Sequence, residues 1–441
     1  HLHCLPHRVC RLRQIMKKII LLFSLCVIAM ACSQEESFDL IPESHDSNQS
    51  SVRSFEEALE IAQNAGSVFS KAVSQNSEAK KAKSLIPTKT VEMSNYKIIC
   101  SSSRKIKDNQ ADTLLYVFNY EDQRGFAIVS ANKETEGLLA MTESGSYNEN
   151  SEENELSGID FFMTLAKNYA MRGGGGMEPL IPVYTIDTIY SEVYPLISVK
   201  WGQSIPEGIY CPNGIAGCVN TAMAQIMSYY EYPQSINLTY ENADITSQAL
   251  DWTEMKKHIL YYLQNGHEYS LYCTANDSAH NAIGRLCRQL GHLNNSIYFT
   301  DGSGTGVYSE TYVKPTFQFL GYNCNNWNNY SSGNTKSYLD ANKPIFFIGR
   351  RENSSGTTSG HAWVVDGYYR MTISKFYFTG EVETRNIMYN HVNWGWRGIN
   401  NGYFLDNVFN TADYYLLDPN PSNASVSYNY NQNIRYIVPS L

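Results

Sequence analysis

After Gly217, the residues Val219, Met223, Ile226 and Tyr230 recur at spacings of four, three and four. That is the period of a helix with one buried face, and Pro233 ends it. The stretches Trp252 to Tyr262 and Ser278 to Leu290 are also predicted helical. Further upstream, Ser54-Phe55-Glu56-Glu57 has the serine and glutamate spacing of a capping box, so a helix opens there, and Leu156 to Ala170 is a second apolar-periodic helix. Between these two lie short apolar runs bounded by turn residues, at 113–119, 125–130 and 137–142. Similar runs fill the C-terminal third, at 344–348, 362–365, 386–389 and 435–438. Runs of this length and composition predict strands. The element order is that of an α+β protein: a small α+β unit, then a helix followed by a strand-rich region.

The breaks in the pattern divide the chain. Met171-Arg172 leads into four consecutive glycines, Gly173 to Gly176, which carry too much backbone entropy for helix or strand. We therefore read 54–170 as one domain, 171–182 as a linker and 183–441 as a second domain. The linker backbone is open to cleavage, and a plain spacer fits the same composition. At the other end, the first methionine is Met16, followed by Lys17, Lys18 and a twelve-residue apolar run, Ile19 to Met30. The run is too short to span a membrane, which takes ~20 residues, and it precedes the small-residue site Ala29-Met30-Ala31, so 1–31 reads as a leader and export signal. Residues 32–53 are polar and serine-rich, a tether. Cys32 directly after the cut resembles a bacterial lipoprotein signal and implies a lipid anchor on Cys32, although Ala29 stands where such signals carry a branched residue. Plain secretion after Ala31 remains the other reading. Either places the protein outside the cytoplasm, extracellular or at the outer surface or periplasm.

The charge balance, 34 Lys and Arg against 43 Asp and Glu, offers no basic face for nucleic acid. The 33 tyrosines suit an exported protein rich in strands and polar loops. Of ten cysteines, Cys4, Cys10 and Cys26 lie in the leader and Cys32 at its end. The remaining six, Cys100, Cys211, Cys218, Cys273, Cys287 and Cys324, show no paired C-x-x-C spacing with histidines, so no zinc site is expected. No disulfide is assigned.

Cys218 stands at the mouth of the first predicted helix. Free backbone N–H groups and the positive end of the helix dipole favour a thiolate there, lowering a thiol pKa from roughly 8.5 towards about 3.5 to 7.5 when a histidinium joins in. Taken alone, a cysteine is more often a small buried hydrophobe. His361, in Ser359-Gly360-His361-Ala362-Trp363-Val364-Val365-Asp366-Gly367, opens a buried strand after a glycine-containing loop, where an imidazole can face a helix N-terminus. A structural histidine would have the same context. His391 is the other candidate, but it shares a strand face with Asn393 and would crowd it rather than pair with it. Asn393 offers an amide oxygen to the second imidazole nitrogen, and Trp394 can keep water from that bond; a turn with aromatic packing is the alternative. The loop Asp301-Gly302-Ser303-Gly304-Thr305-Gly306 lacks the Lys and the Ser or Thr of a phosphate loop, so it lines a cleft or forms a turn.

Taken together, Gly217-Cys218-Val219 through Gln225-Ile226-Met227, Tyr232-Pro233, Gly360-His361-Ala362 with Asp366-Gly367, and His391-Val392-Asn393-Trp394-Gly395-Trp396 with Gly402-Tyr403-Phe404 resemble the streptopain family of papain-like cysteine peptidases. The likeness spans 183–441, and more loosely 54–170 resembles the family's propeptide, itself similar to separately encoded inhibitors. It implies a papain-like domain, a cysteine-bearing helix packed against an antiparallel sheet, behind a small α+β prodomain that inhibits it intramolecularly. It implies Cys218 as nucleophile, His361 as general base and acid, Gln203 as an oxyanion donor, and Asn393 with Trp394 as support for the imidazole. It further implies no cofactor, and protein or peptide substrates with an apolar residue two before the cut. One departure is an insertion between His361 and Asn393, where 368–378 and 381–389 read as an added hairpin at the cleft rim. Two rivals use the same residues: a Cys-His amidase acting on cell-wall peptides, and a surface-anchored binding or inhibitory protein on a papain-like scaffold.

Overall fold

The capping box forms in both directions, Ser54 N donating to Glu57 Oε2 at 2.7 Å and Glu57 N to Ser54 Oγ at 3.2 Å. It opens helix α1 (Phe55–Ser74). The structure, a computed structural model, describes residues 51–74, 93–100, 113–148, 158–171, 184–240, 245–259, 277–302, 304–307, 310–352, 358–376, 380–410 and 434–441. The leader 1–31, most of the tether and the glycine linker lie outside these residues. Arg53 Nη1 donates to the carbonyls of Ser130 and, at 3.0 Å, Asn132, so the expected tether does not extend through 53.

The strands β1 (Met93–Cys100), β2 (Thr113–Tyr120), β3 (Phe126–Ser130) and β4 (Leu138–Thr142) form an antiparallel meander that ends in helix α2 (Ile159–Ala170). β1 was not expected from the sequence. It is the outermost strand of its sheet, and its segment Met93-Ser94-Asn95-Tyr96-Lys97 carries polar residues that break an apolar run. Helix α2 starts three residues later than its apolar period suggested, because Gly158, with φ of 78°, breaks the helical backbone there.

The second half begins with β5 (Tyr184–Val193) and the cysteine helix α3 (Cys218–Tyr230). The expected helix at Trp252 is shorter, Trp252–Lys256 followed by a 3-10 turn to Ile259, and its remainder lies outside the described residues. Helix α4 (Asp277–Leu293) precedes a hairpin of β6 (Ser296–Tyr298) and β7 (Thr305–Val307), so the glycine-rich loop is a hairpin turn. Then come β8 (Asn328–Asn329), β9 (Ile345–Glu352), β10 (Thr358–Phe376), β11 (Val382–Asn393), β12 (Gly402–Leu405) and β13 (Arg435–Ile437). The two segments expected to form a hairpin do pair: β10 and β11 run from Val364 opposite Asn393 out to Phe376 opposite Val382. Its free side is not left bare, since β5 pairs with β10 from Tyr368 to Phe376.

Both halves share one sheet of 11 strands in the order β1-β2-β3-β4-β12-β11-β10-β9-β13-β8, with β5 added beside β10. The junction is the pairing of β4 with β12, Ala140 opposite Phe404 and Thr142 opposite Gly402. Strand alternation then assigns the two faces. From β10, Ala362 and Val364 join the core built on α3 and α4, with Met223, Ile226, Ile283 and Leu286. Trp363 and Val365 point the other way, into a core with Phe161, Phe162 and Leu165 of α2. The α+β expectation holds, and helix α2 of the N-terminal unit is the cover of one sheet face.

Candidate active site

Cys218 is the first residue of α3, delivered by Gly217 at φ of 87°. A side chain at Gly217 would strike Thr305 at 3.0 Å, so the β6–β7 hairpin braces the helix mouth against a residue that has to be glycine. Asn213 Nδ2 adds a hydrogen bond to the Gly304 carbonyl at 2.7 Å, and Thr305 Oγ1 donates to the Ile215 carbonyl at 2.7 Å. Cys218 packs against the core cluster that contains Ala362, the residue after His361. Helix α3 thus packs on β10, the strand that carries His361.

The electrostatics differ from the expectation of a lowered thiol pKa. Burial pushes the Cys218 thiol up, against the N–H groups of Ala362, Val219 and Cys218 itself. Burial also pulls the His361 imidazole down to about 4, only partly offset by the Trp394 backbone. Both shifts favour the neutral forms, so thiol and imidazole coexist uncharged around neutral pH.

The imidazole is held by a different acceptor than Asn393. Nε2 of His361 lies 3.0 Å from the Trp394 carbonyl oxygen. Asn393 Oδ1 is already taken by Gln225 Nε2 and by Gly395 N, each at 3.1 Å, and its Nδ2 donates to the Val199 carbonyl at 3.2 Å. With its amide spent on these bonds, Asn393 shapes the turn whose next carbonyl meets the histidine. Trp394 is fully buried, its ring 6.0 Å from that of His361, and Trp363 stacks at 6.3 Å with an interplanar angle of 12°. Among the described residues His361 makes no hydrogen bond to Cys218. It faces α2: Gly158 packs on the imidazole so closely that a Cβ there would come within 2.6 Å of His361 Cδ2.

Gln203 is 9% exposed, and its carbonyl accepts from Ala216 N at 2.7 Å, two residues before Cys218. The neighbouring Gly202 N donates to the buried Glu207 at 2.8 Å, and Arg397 Nη2 ties Ser204 and Ile205 from the far side. The Gln203 carbonyl thus meets the approach to Cys218 at Ala216, His361 is joined to the Trp394 carbonyl, and Asn393 is tied to α3 through Gln225. Among the described residues no cluster of His, Cys, Asp and Glu could hold a metal ion.

His391 belongs to another assembly. Its Nδ1 is 2.6 Å from Asp366 Oδ1, and its Nε2 is 3.5 Å from Glu143 Oε1 in the segment after β4. Burial pulls this imidazole down, but the two carboxylates outweigh it and raise His391 to about 9. Burial opposes the charge on Glu143 too, yet His391 and Lys200 hold it at about 2. A charged residue inside an apolar strand, as Asp366 is, was the sequence signal for such a buried pair.

Both halves of the chain resemble known proteins. Residues 197–404 match the Peptidase C10 family, and 50–169 match the Spi protease inhibitor family. Streptopain of Streptococcus pyogenes (serotype M28) is 26% identical over 338 residues, covering 68% of this chain and 75% of that protein. The thiol protease/hemagglutinin PrtT of Porphyromonas gingivalis is 22% identical over 337 residues, 68% of this chain and 34% of the relative. A prointerpain A fragment of Prevotella intermedia aligns with TM-score 0.47 at 21% identity, over 78% of this chain and 97% of the fragment. The protein is a cysteine endopeptidase synthesised with an inhibitor-like propeptide, a zymogen. More narrowly, it carries a Peptidase C10 domain of the streptopain kind behind a Spi-type propeptide domain.

Proposed function

We propose that the protein is an exported endopeptidase in which Cys218 is the nucleophile, His361 the general base and acid, and Gln203 an oxyanion donor. The observation that carries this reading is the packing of Cys218 against the strand of His361, at a helix mouth whose approach is bonded to the Gln203 carbonyl through Ala216 N. His361 takes the thiol proton as sulfur attacks the peptide carbonyl, and returns it to the leaving amine when the C–N bond breaks. Water, deprotonated by the same imidazole, then hydrolyses the thioester. The Cys218 N–H and the Gln203 amide bind the oxygen that becomes negative in each tetrahedral intermediate. Asn393 and Trp394 support the imidazole indirectly, through the turn that presents the Trp394 carbonyl.

In the described form the site is latent. His361 is bonded to Trp394 and covered by Gly158, and thiol and imidazole are both neutral. Departure of the propeptide lets water and the thiol reach the imidazole, restoring the charged pair. The glycine run ahead of β5 supplies the cut site, acted on in trans. The signal-like run before Cys32 supports export, with lipidation of Cys32 as the anchor, and the family likeness supports an apolar residue two before the cut.

The test is a thiol-reactive epoxide applied to matured protein, followed by peptide mass mapping, with casein and purified peptidoglycan as parallel substrates. Labelling at Cys218 with casein cleavage is expected, and folded Cys218→Ala is expected to lose both. Turnover of peptidoglycan alone would replace the endopeptidase reading by the amidase, and no label with no turnover would favour a binding protein.

A further inference from the structure

The loop that carries Gln203 is bonded to more than Ala216, the residue two before Cys218. Two consecutive backbone carbonyls of that loop are taken by two side chains of α3. Thr221 Oγ1 donates to the Gly202 carbonyl at 2.8 Å, and Gln225 Nε2 donates to the Trp201 carbonyl at 2.9 Å. Cys218, Thr221 and Gln225 stand at i, i+3 and i+7, which is one face of a helix over two turns. Both donors are fully buried at 0% exposure. The amide orientation of Gln225 is set by its partners, since a carbonyl and the Asn393 Oδ1 can only accept.

From this we infer that Thr221 and Gln225 are positioning residues for catalysis: they hold the Gln203 loop in register with the helix that bears Cys218. The inference rests on the oxyanion role proposed for Gln203 above. Its physical basis is that an oxyanion donor works only when fixed about 3 Å from the developing charge, while two peptide planes anchored one helical turn apart cannot slide along the helix. Glu207 holds the N–H of Gly202 from the opposite side, so the plane is gripped at both polar ends. Neither Thr221 nor Gln225 needs to touch substrate. Gln225 also reaches Asn393, but that amide keeps its bonds to Gly395 and Val199 when Gln225 is replaced.

The experiment uses full-length Thr221→Val and Gln225→Met, which keep side-chain size and remove the donors. The variants are matured in trans by a tagged trace of wild-type enzyme that is then removed, and are titrated for active sites. Each is expected to lose about 10-fold in kcat with KM within about threefold, the size of effect a displacement well under 1 Å produces. Combined with Gln203→Ala, either substitution is expected to cost less than about threefold more, because the donor they position is already gone. The pH profile of Cys218 alkylation by iodoacetamide is expected to stay that of wild type. An undiminished kcat loss in the Gln203→Ala background would overturn the inference, and so would a shifted alkylation profile, which would place the action on His361. Should Gln225→Met not fold, Thr221→Val decides with Thr221→Ser as its rescue, which restores the hydroxyl and is expected to restore kcat. Unchanged kcat in Gln203→Ala alone would remove the oxyanion reading itself, and this inference with it.

Discussion

Gly158 lies directly on the imidazole of His361: a Cβ added to this glycine would sit 2.8 Å from His361 Nε2 and 2.7 Å from Trp394 Cε3. The residue also holds φ of 78°, which costs other L-residues roughly 1 to 2 kcal/mol. Gly158→Ala is therefore expected to loosen the propeptide over the site and raise the open population by about tenfold. Alkylation of Cys218 in unprocessed protein, read by brief iodoacetamide exposure, measures this. An unchanged rate would show that Gly158 does not limit access to the thiol.

The contact of Glu143 with His391 joins propeptide to peptidase through charge, and its pH dependence has a defined sign. His391 is raised to about 9, so its contribution is complete below about 6.5, the ordinary imidazole value, and is lost as pH rises through about 9. Glu143 is depressed from 4.5 to about 2, so its contribution is complete above 4.5 and lost as pH falls through about 2. The melting temperature of the Cys218→Ala proenzyme should accordingly fall between pH 6.5 and 9.5, and Glu143→Gln should move that fall to lower pH. Superimposable profiles for the two proteins would rule out the pair as a stabilising contact.

Phe162 of α2 packs edge-on against Phe404 at 4.7 Å and lies 5.5 Å from Phe409. It is fully buried, so Phe162→Ala should cost about 3 to 5 kcal/mol. The loss falls on helix docking. The variant proenzyme should melt earlier and mature faster in trans, while the matured enzyme keeps wild-type kcat. A lowered kcat after maturation would mean that part of α2 stays in the active enzyme.

The two histidines separate by what their loss affects. His361→Ala should reduce kcat by about 10²-fold to 10⁴-fold with little change in melting temperature. His391→Ala breaks a buried pair with Asp366 and should cost about 3 to 5 kcal/mol of stability while leaving kcat per folded site near wild type. The opposite pattern would make His391 the base.

Much of this was legible in the sequence because the signals are local. The helix at Cys218 follows from apolar period, and the Ser54 capping box from two residues three apart. Gly158 was also visible, as a glycine inside an apolar-periodic stretch, but nothing local says that its missing side chain makes room for a histidine two hundred residues on. The same holds for Asn393. Its residue type suits an imidazole partner, yet three neighbours distant in sequence or set by the turn, Gln225, Val199 and Gly395, use its amide first. The charge shift at Cys218 reversed for a similar reason, since the helix mouth argues for a thiolate and only the assembled burial argues against it.

The β4–β12 seam has a consequence for how activation is observed. A nick in the linker breaks one covalent bond but leaves a strand-to-strand seam, an aromatic lock and an ion pair, all noncovalent and all intact. Gel mobility and catalytic output should therefore run on separate clocks, the cleaved pair co-eluting as an inert complex until the propeptide is digested or diluted away. The freed enzyme then presents the unsatisfied backbone groups of Gly402 to Leu405 as an open edge.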